Sequence, residues 1–351
     1  MNISDTAIGP VGAQTLADCL HDAPLLQVLN LRGCSLLHTS LGTVSCARWV
    51  RGNLMPVNAL LCDREQIQTQ GVCALLRTLG EMPNLVDVDV SNNGLFGARW
   101  DKYSLAWLGT LCHEVVGAFG QFLRRNRSLV ALRTSSNVLG GYYSDGELKV
   151  VDADPQVCIA CVCLVIGVVC SYMSGLELVQ ANFLFYGLSM PDKSLVSLDV
   201  SNNGFRGPGS AAVAQLMATN VTITDLDISS NALGRRGVRT IAAVLGRHNV
   251  LTRLNIAGNA MGDDGAKFLA QAVSTNHALV HLSMGQNAFG VEGAVAIADA
   301  LRENTTLTYL NIATSECQGR GLRALADALL ESNSTLAHLF VMAGMSCGAC
   351  Q

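Results

Sequence analysis

Residues 223–250 read ITDLDISSNALGRRGVRTIAAVLGRHNV, and residues 251–278 read LTRLNIAGNAMGDDGAKFLAQAVSTNHA. Laid one over the other, the two stretches share a pattern. Ile223, Leu226, Ile228, Asn231 and Leu233 fall on Leu251, Leu254, Ile256, Asn259 and Met261. The opening position recurs at Leu195, Ile223, Leu251, Leu279 and Leu307, each 28 residues after the last. Four equal steps mark a repeat, and a repeat of this length marks a solenoid. The first half of each unit, such as Leu251 to Ile256, alternates apolar and polar residues, the period of a short strand. The second half carries apolar or small residues at Gly265, Ala266, Leu269, Ala270 and Val273, one face of a helix. Gly293-Ala294-Ile297-Ala298-Leu301 and Gly321-Leu322-Leu325-Ala326-Leu329 repeat that face.

One strand–helix unit cannot bury its own apolar face, so the units must stack around a shared core. Parallel strands lie ~4.8 Å apart and packed helices about 10 Å, so the stack must curve with its strands inside. The expected fold is therefore an α/β solenoid, a horseshoe with parallel strands on the concave face and helices on the convex face. Where the chain leaves each strand, backbone groups turn inward and need partners. An amide side chain both donates and accepts, so Asn203, Asn231, Asn259 and Asn287 are suited to supply them.

The pattern L-x-x-L-x-L-x-x-N-x-L, followed by G-x-x-G and an Ala/Leu-rich helix, resembles the leucine-rich repeats of ribonuclease inhibitor. The same subclass occurs in Ran GTPase-activating protein and in the sensor domains of NOD-like receptors. The resemblance implies a protein-binding scaffold without catalysis or cofactor.

The rest of the chain extends the array. It opens inside a unit, with Ile3, Thr6 and Ile8 as the end of a strand and turn, and Gly12-Ala13-Leu16-Ala17-Leu20 as the helix. Strand patterns follow at Leu26-Leu29-Leu31-Cys34-Leu36, at Leu85-Val88-Val90-Asn93-Leu95 and at Leu129-Leu132-Thr134-Asn137-Leu139. A degenerate copy lies at Val57-Leu60-Cys62-Glu65-Ile67, with the helix Gly71-Val72-Leu75-Leu76-Leu79 behind it. A weak copy lies at Met173-Leu176-Leu178-Ala181-Phe183. The final strand, Leu336-Leu339-Val341, comes one residue late. These readings predict one domain over residues 1–351 with ten or eleven repeats, interrupted by insertions near 96–116 and 140–172. Neither end shows a polar cap, and a flanking partner, an oligomer contact or a shortened sequence is expected to account for that.

Composition narrows the function. Half of the 351 residues are hydrophobic and 14% are charged, enough for a large core. A net charge of -4 is no footprint of nucleic-acid binding. The 13 cysteines are an odd number, and Cys34, Cys62 and Cys317 fall at repeat core positions. That is the use of small buried hydrophobes in a reducing compartment. With no basic-then-apolar signal segment after Met1, a cytoplasmic protein is expected, with association with cytoskeleton or cilium left open.

Several motifs have plain structural readings. The apolar run Val157–Cys170 is short of the roughly 20 residues that span a bilayer, and a buried core helix is the better reading. Cys158-x2-Cys161-x-Cys163 and Cys347-x2-Cys350 have zinc-compatible spacing but no His to complete a set, so no metal is assigned. Five Asn-x-Ser/Thr triplets begin at Asn2, Asn126, Asn220, Asn304 and Asn333, four of them at the helix-to-strand turn, where Asn is a turn residue. The Gly-rich stretch at Asn203–Gly209 recurs in other units and belongs to the repeat turn. The seven His are scattered, and no catalytic set emerges.

The informative residues are those on the strands that alternation turns away from the core: Asp87, Asp89, Arg133, Glu177, Asp199, Asp225, Asp227, Arg253, Asn255, His281, Tyr309, Asn311, His338 and Phe340. Asp199, Asp225 and Asp227 should form an acidic strip. The competing reading is a solvated strand face. As a partner-binding set, Asp87, Asp89, Asp199, Asp225, Asp227, Arg253, His281, Tyr309 and Phe340 would receive a protein with a basic segment, with Tyr309 and Phe340 as apolar anchors. Two alternatives follow from other premises. One is a GTPase activator like that of Ran, with Arg32 and Asn30 as the nearest candidates. The other is a fixed subunit of a large cytoskeletal or ciliary assembly.

Overall fold

A computed structural model describes residues 1–6, 8–23, 25–32, 34, 71–91, 93, 99–101, 106–108, 113–135, 194–313 and 317–341. The repeating unit is the one the spacing predicts. Short strands β1 (Val28–Asn30), β2 (Asp87–Asp89), β5 (Ala131–Arg133), β6 (Ser197–Asp199), β7 (Asp225–Asp227), β8 (Arg253–Asn255), β9 (His281–Ser283), β10 (Tyr309–Asn311) and β11 (His338–Phe340) form one sheet. They pair in that order, all parallel. Helices α1 (Gly9–His21), α2 (residues 71–81), α3 (His113–Arg125), α4 (Arg206–Thr219), α5 (Gly234–Leu245), α6 (Gly262–Thr275), α7 (Val291–Glu303) and α8 (Gln318–Glu331) lie behind it.

Each strand has only three residues, and its middle one faces the core. Leu29, Val88, Leu132, Leu198, Leu226, Leu254, Leu282 and Leu310 are all buried. From the other side come Val238, Ile241 and Leu245 of α5, then Leu269 and Val273 of α6, then Ile297 and Leu301 of α7. Burying a Leu or Ile of this kind contributes about 1.5–3 kcal/mol, so the repeated core carries most of the stability. Small residues let the layers close. A Cβ on Gly265 would lie 2.5 Å from the Met261 Cβ, and at Gly262 the backbone takes φ +60° to start the helix. The expected face of α8 is only partly covered: Gly321, Leu325 and Ala328 are buried, but Leu322 is 41% exposed, because no helix among the described residues packs against it.

β1 pairs directly with β2, Val28 opposite Asp87, and β5 pairs directly with β6, Ala131 opposite Ser197. The weak copies are expected at Val57–Ile67 and Met173–Phe183. Both stretches lie outside the described residues, as do Glu177, the apolar run Val157–Cys170 and the two Cys-x2-Cys pairs. The insertion expected near 96–116 contains an antiparallel hairpin, β3 (Arg99–Asp101) with β4 (Ala106–Leu108), Trp100 opposite Trp107. The late last strand is real. The extra residue sits at the end of α8, where Ser332 and Asn333 both donate their N–H groups to the Ala328 carbonyl.

Between the layers runs a ladder of asparagines. The Nδ2 of Asn259 donates to the carbonyls of Ile256 and Ala257 in its own unit and of Ile228 in the unit before, at 3.0–3.2 Å. Its Oδ1 accepts the N–H of Asn231 at 3.0 Å. Asn231 in turn accepts from Asn203, and Asn287 from Asn259. These side chains are completely or almost completely buried, so their full pairing is what permits their presence. At the first copy Cys34 takes the position, and its thiol donates to the carbonyls of Ile3 and Arg32.

A second ladder follows the helices. Asn276 donates through Nδ2 to the carbonyls of Leu245 and His248, while its Oδ1 accepts the N–H groups of Ala278 and Leu279. Asn126, Asn220, Asn304 and Asn333 occupy the same place and cap the strand entry in the same way. They are the asparagines of four Asn-x-Ser/Thr triplets, and the first three are buried. Their reading as turn residues was correct but incomplete, since Asn126, Asn304 and Asn333 also tie their unit to the one before.

Candidate concave binding face

The pairing register fixes which strand residues become neighbours. With the middle residue of each strand buried, the first and third residues form two rows on the concave face. The first row runs Asp87, Ala131, Ser197, Asp225, Arg253, His281, Tyr309, His338. The third-residue row runs Asp89, Arg133, Asp199, Asp227, Asn255, Ser283, Asn311, Phe340. Every described residue of the expected binding set lies in one of these rows.

The acidic strip is wider than two strands. Asp89, Asp199 and Asp227 share a row, with Arg133 between the first two. The Arg133 guanidinium reaches diagonally to the Asp87 carboxylate at 2.5 Å. That bond, with Asp89 and Asp199 nearby, raises the Arg133 pKa above the usual guanidinium value. Burial pushes the Asp199 carboxyl upward, and the charges of Asp227 and Asp89 add to the shift against hydrogen bonds from Ser201. The carboxylates are thus close enough to repel one another.

Sequence reasoning missed a second role for the third-residue row. Asp89, Asp199 and Asp227 accept the N–H of Ser91, Ser201 and Ser229, two residues on, at 2.9 Å. Asn255 and Asn311 do the same for Ala257 and Ala313. Recurrence of Asp or Asn at this one position was the available signal, since both side chains close such a turn. Asn30 belongs to this series, its Oδ1 accepting the Arg32 N–H at 3.0 Å. Asp225, in the first row, takes no part in these turns.

Toward the C-terminal strands the face changes character. The His281 and Tyr309 rings stack with centroids 3.7 Å apart and planes 9° from parallel. Tyr309 also contacts Phe340 at 5.2 Å and His338 at 6.2 Å between centroids. Phe340 is 48% exposed. Burial and the neighbouring Arg253 charge lower the His281 pKa, against the opposing pull of Asp225. Strands β9, β10 and β11 bear no carboxylate, lysine or arginine. Among the described residues no group of three His, Cys, Asp or Glu is placed to hold a metal ion, and no helix is long and apolar enough to cross a membrane.

A leucine-rich repeat family model matches residues 219–242, 247–270 and 275–298, and the fold is a leucine-rich repeat solenoid. No curated protein matches it. Among solved structures, actin-binding site 2 of leiomodin-1 aligns over 40% of this chain and 81% of its own, at 20% identity and a TM-score of 0.35. The C-terminal domain of Caenorhabditis elegans tropomodulin aligns over 42% and 89%, at 15% identity and a TM-score of 0.37. A chain of the yeast Rad7 and Elc1 complex aligns over 96% and 75%, at 12% identity and a TM-score of 0.43.

Proposed function

We propose that this protein is a non-enzymatic interaction module that holds a basic segment of a partner protein against its concave face. The observation that carries the reading is the register that gathers Asp89, Asp199, Asp225 and Asp227 over neighbouring strands. Facing outward and partly exposed, these carboxylates give a partner cation a surface where several charges act together. A flat strand face favours a macromolecular partner over a small ligand, which needs a concave pocket.

The repeats are of the ribonuclease-inhibitor-like subclass, a reading supported by the 28-residue step and the full helix in each regular unit. They form a single domain. The buried cysteines Cys34, Cys73 and Cys317 suit a reducing cytoplasmic setting. Asn30, one of two residues suggested for GTPase activation, is accounted for by its own turn, which leaves the scaffold as the better reading.

Titration of a fluorescent tetralysine peptide tests the proposal. Binding should weaken steeply with added salt and disappear in Asp225→Lys, a substitution that removes no hydrogen bond of the repeat. Salt-independent binding, or binding unchanged by Asp225→Lys, would refute it.

A further inference from the structure

The two halves of the concave face differ, and their order restricts what can lie across both. Strands β2, β5, β6 and β7 carry five aspartates and one arginine, a net of four negative charges. Arg253 of β8 stands exposed at the boundary. Beyond it the face is neutral and aromatic, with Tyr309 touching His281, His338 and Phe340. A cation over that cluster would find no carboxylate on its strands and would face Arg253. An aromatic or aliphatic side chain over the acidic half would bury carboxylates without a partner for them.

We infer that the partner is a single segment with a fixed order, lysines or arginines over β5–β7 and one aromatic or large aliphatic side chain on the Tyr309–Phe340 cluster. The inference rests on the docking role proposed for this face and adds the partner's layout. Four strand spacings separate Asp227 from Phe340, roughly 19 Å along the sheet at ~4.8 Å each. An extended chain covers that distance in about six residues. The stacked rings favour an apolar anchor because the His281–Tyr309 pair is already held in place, so little side-chain freedom is lost when a ring is added.

The test uses the full chain and three labelled peptides. The first has four lysines, a five-residue glycine–serine spacer and a tryptophan. The second has alanine for the tryptophan, and the third has the tryptophan directly beside the lysines. The first should bind at least about tenfold more tightly than the other two, a usual return for one well-seated anchor. Phe340→Ala and Tyr309→Ala should erase that advantage and leave the alanine peptide's affinity unchanged, with circular dichroism confirming the fold. If the alanine peptide binds and responds to Asp225→Lys but tryptophan adds nothing, this inference fails and the docking role stands. Equal affinity of the first and third peptides would overturn the spacing. If no peptide binds, both readings fall.

Discussion

The Nδ1 of His248 accepts the backbone N–H of Leu251 at 3.0 Å, in the place where the other units present an asparagine oxygen. The Met217 backbone lies one unit back from this ring, where Asn276 has the Leu245 carbonyl, and favours its charged form against the effect of burial. Such an acceptor must be unprotonated, and burial accordingly lowers the His248 pKa. In the unfolded chain this histidine titrates near ~6.5. Between that value and its lower folded value the unfolded state binds the extra proton, so stability falls as pH drops through this window and is fully present above it. His248→Asn should therefore flatten the fall in melting temperature from about pH 7 to about pH 5. Parallel curves for variant and parent would sink this account.

The central asparagine ladder should be the costliest place to cut. Asn259→Ala removes the partner of the Asn231 N–H and the donor to three carbonyls, all in the buried turn. Each orphaned group costs about 1–3 kcal/mol, so a loss of about 3 kcal/mol or more is expected in urea unfolding. Asn259→Asp should do no better, because it sets a carboxylate against those carbonyls.

Asp263 links two helices that otherwise begin without side-chain caps. From α6 its Oδ1 accepts the N–H groups of Gly290 and Gly293 at the start of α7, at 2.8 and 2.7 Å. Asp263→Ala should lower stability by about 1 kcal/mol, as for loss of an N-cap. Amide exchange should quicken at Gly293 and stay unchanged in α5.

Close helix packing gives a paired prediction. Gly265→Ala drives a Cβ to within 2.5 Å of Met261. It should cost about 1–3 kcal/mol. Gly319→Ala, in α8 with nothing within 4 Å, should be neutral or stabilising by less than about 1 kcal/mol. Similar effects at both sites would mean that the helices do not pack as described.

The regular units were readable because every position carried two signals at once, the strand period and the 28-residue step. Where the step was lost, only the strand signal remained. A three-residue strand needs just one or two apolar residues in register, and a chain that is 50% hydrophobic offers many false matches. Leu60-x-Cys62 and Leu176-x-Leu178 carry only that weaker signal, and both lie outside the described residues. The acidic residues were placed on the correct face, because alternation alone sets that. Their turn-closing role was hidden, since Asp227 bonding to Ser229 lies within one strand exit and leaves no trace in apolar spacing.

The ladder also gives the stack a polarity. Ile228, Ser230, Asn231 and Gly234 all donate their N–H groups forward, to Asn255, Ala257 and Asn259 of the following unit. Other donors point back: Thr224 and Asp225 share the carbonyl of Val196, and the Asn231 Nδ2 reaches the Val200 carbonyl. A unit is therefore completed from both sides, the N–H groups of its turn by its successor and its asparagine amide by its predecessor. Growth of the fold should lock each interior module only once it has a neighbour on either flank.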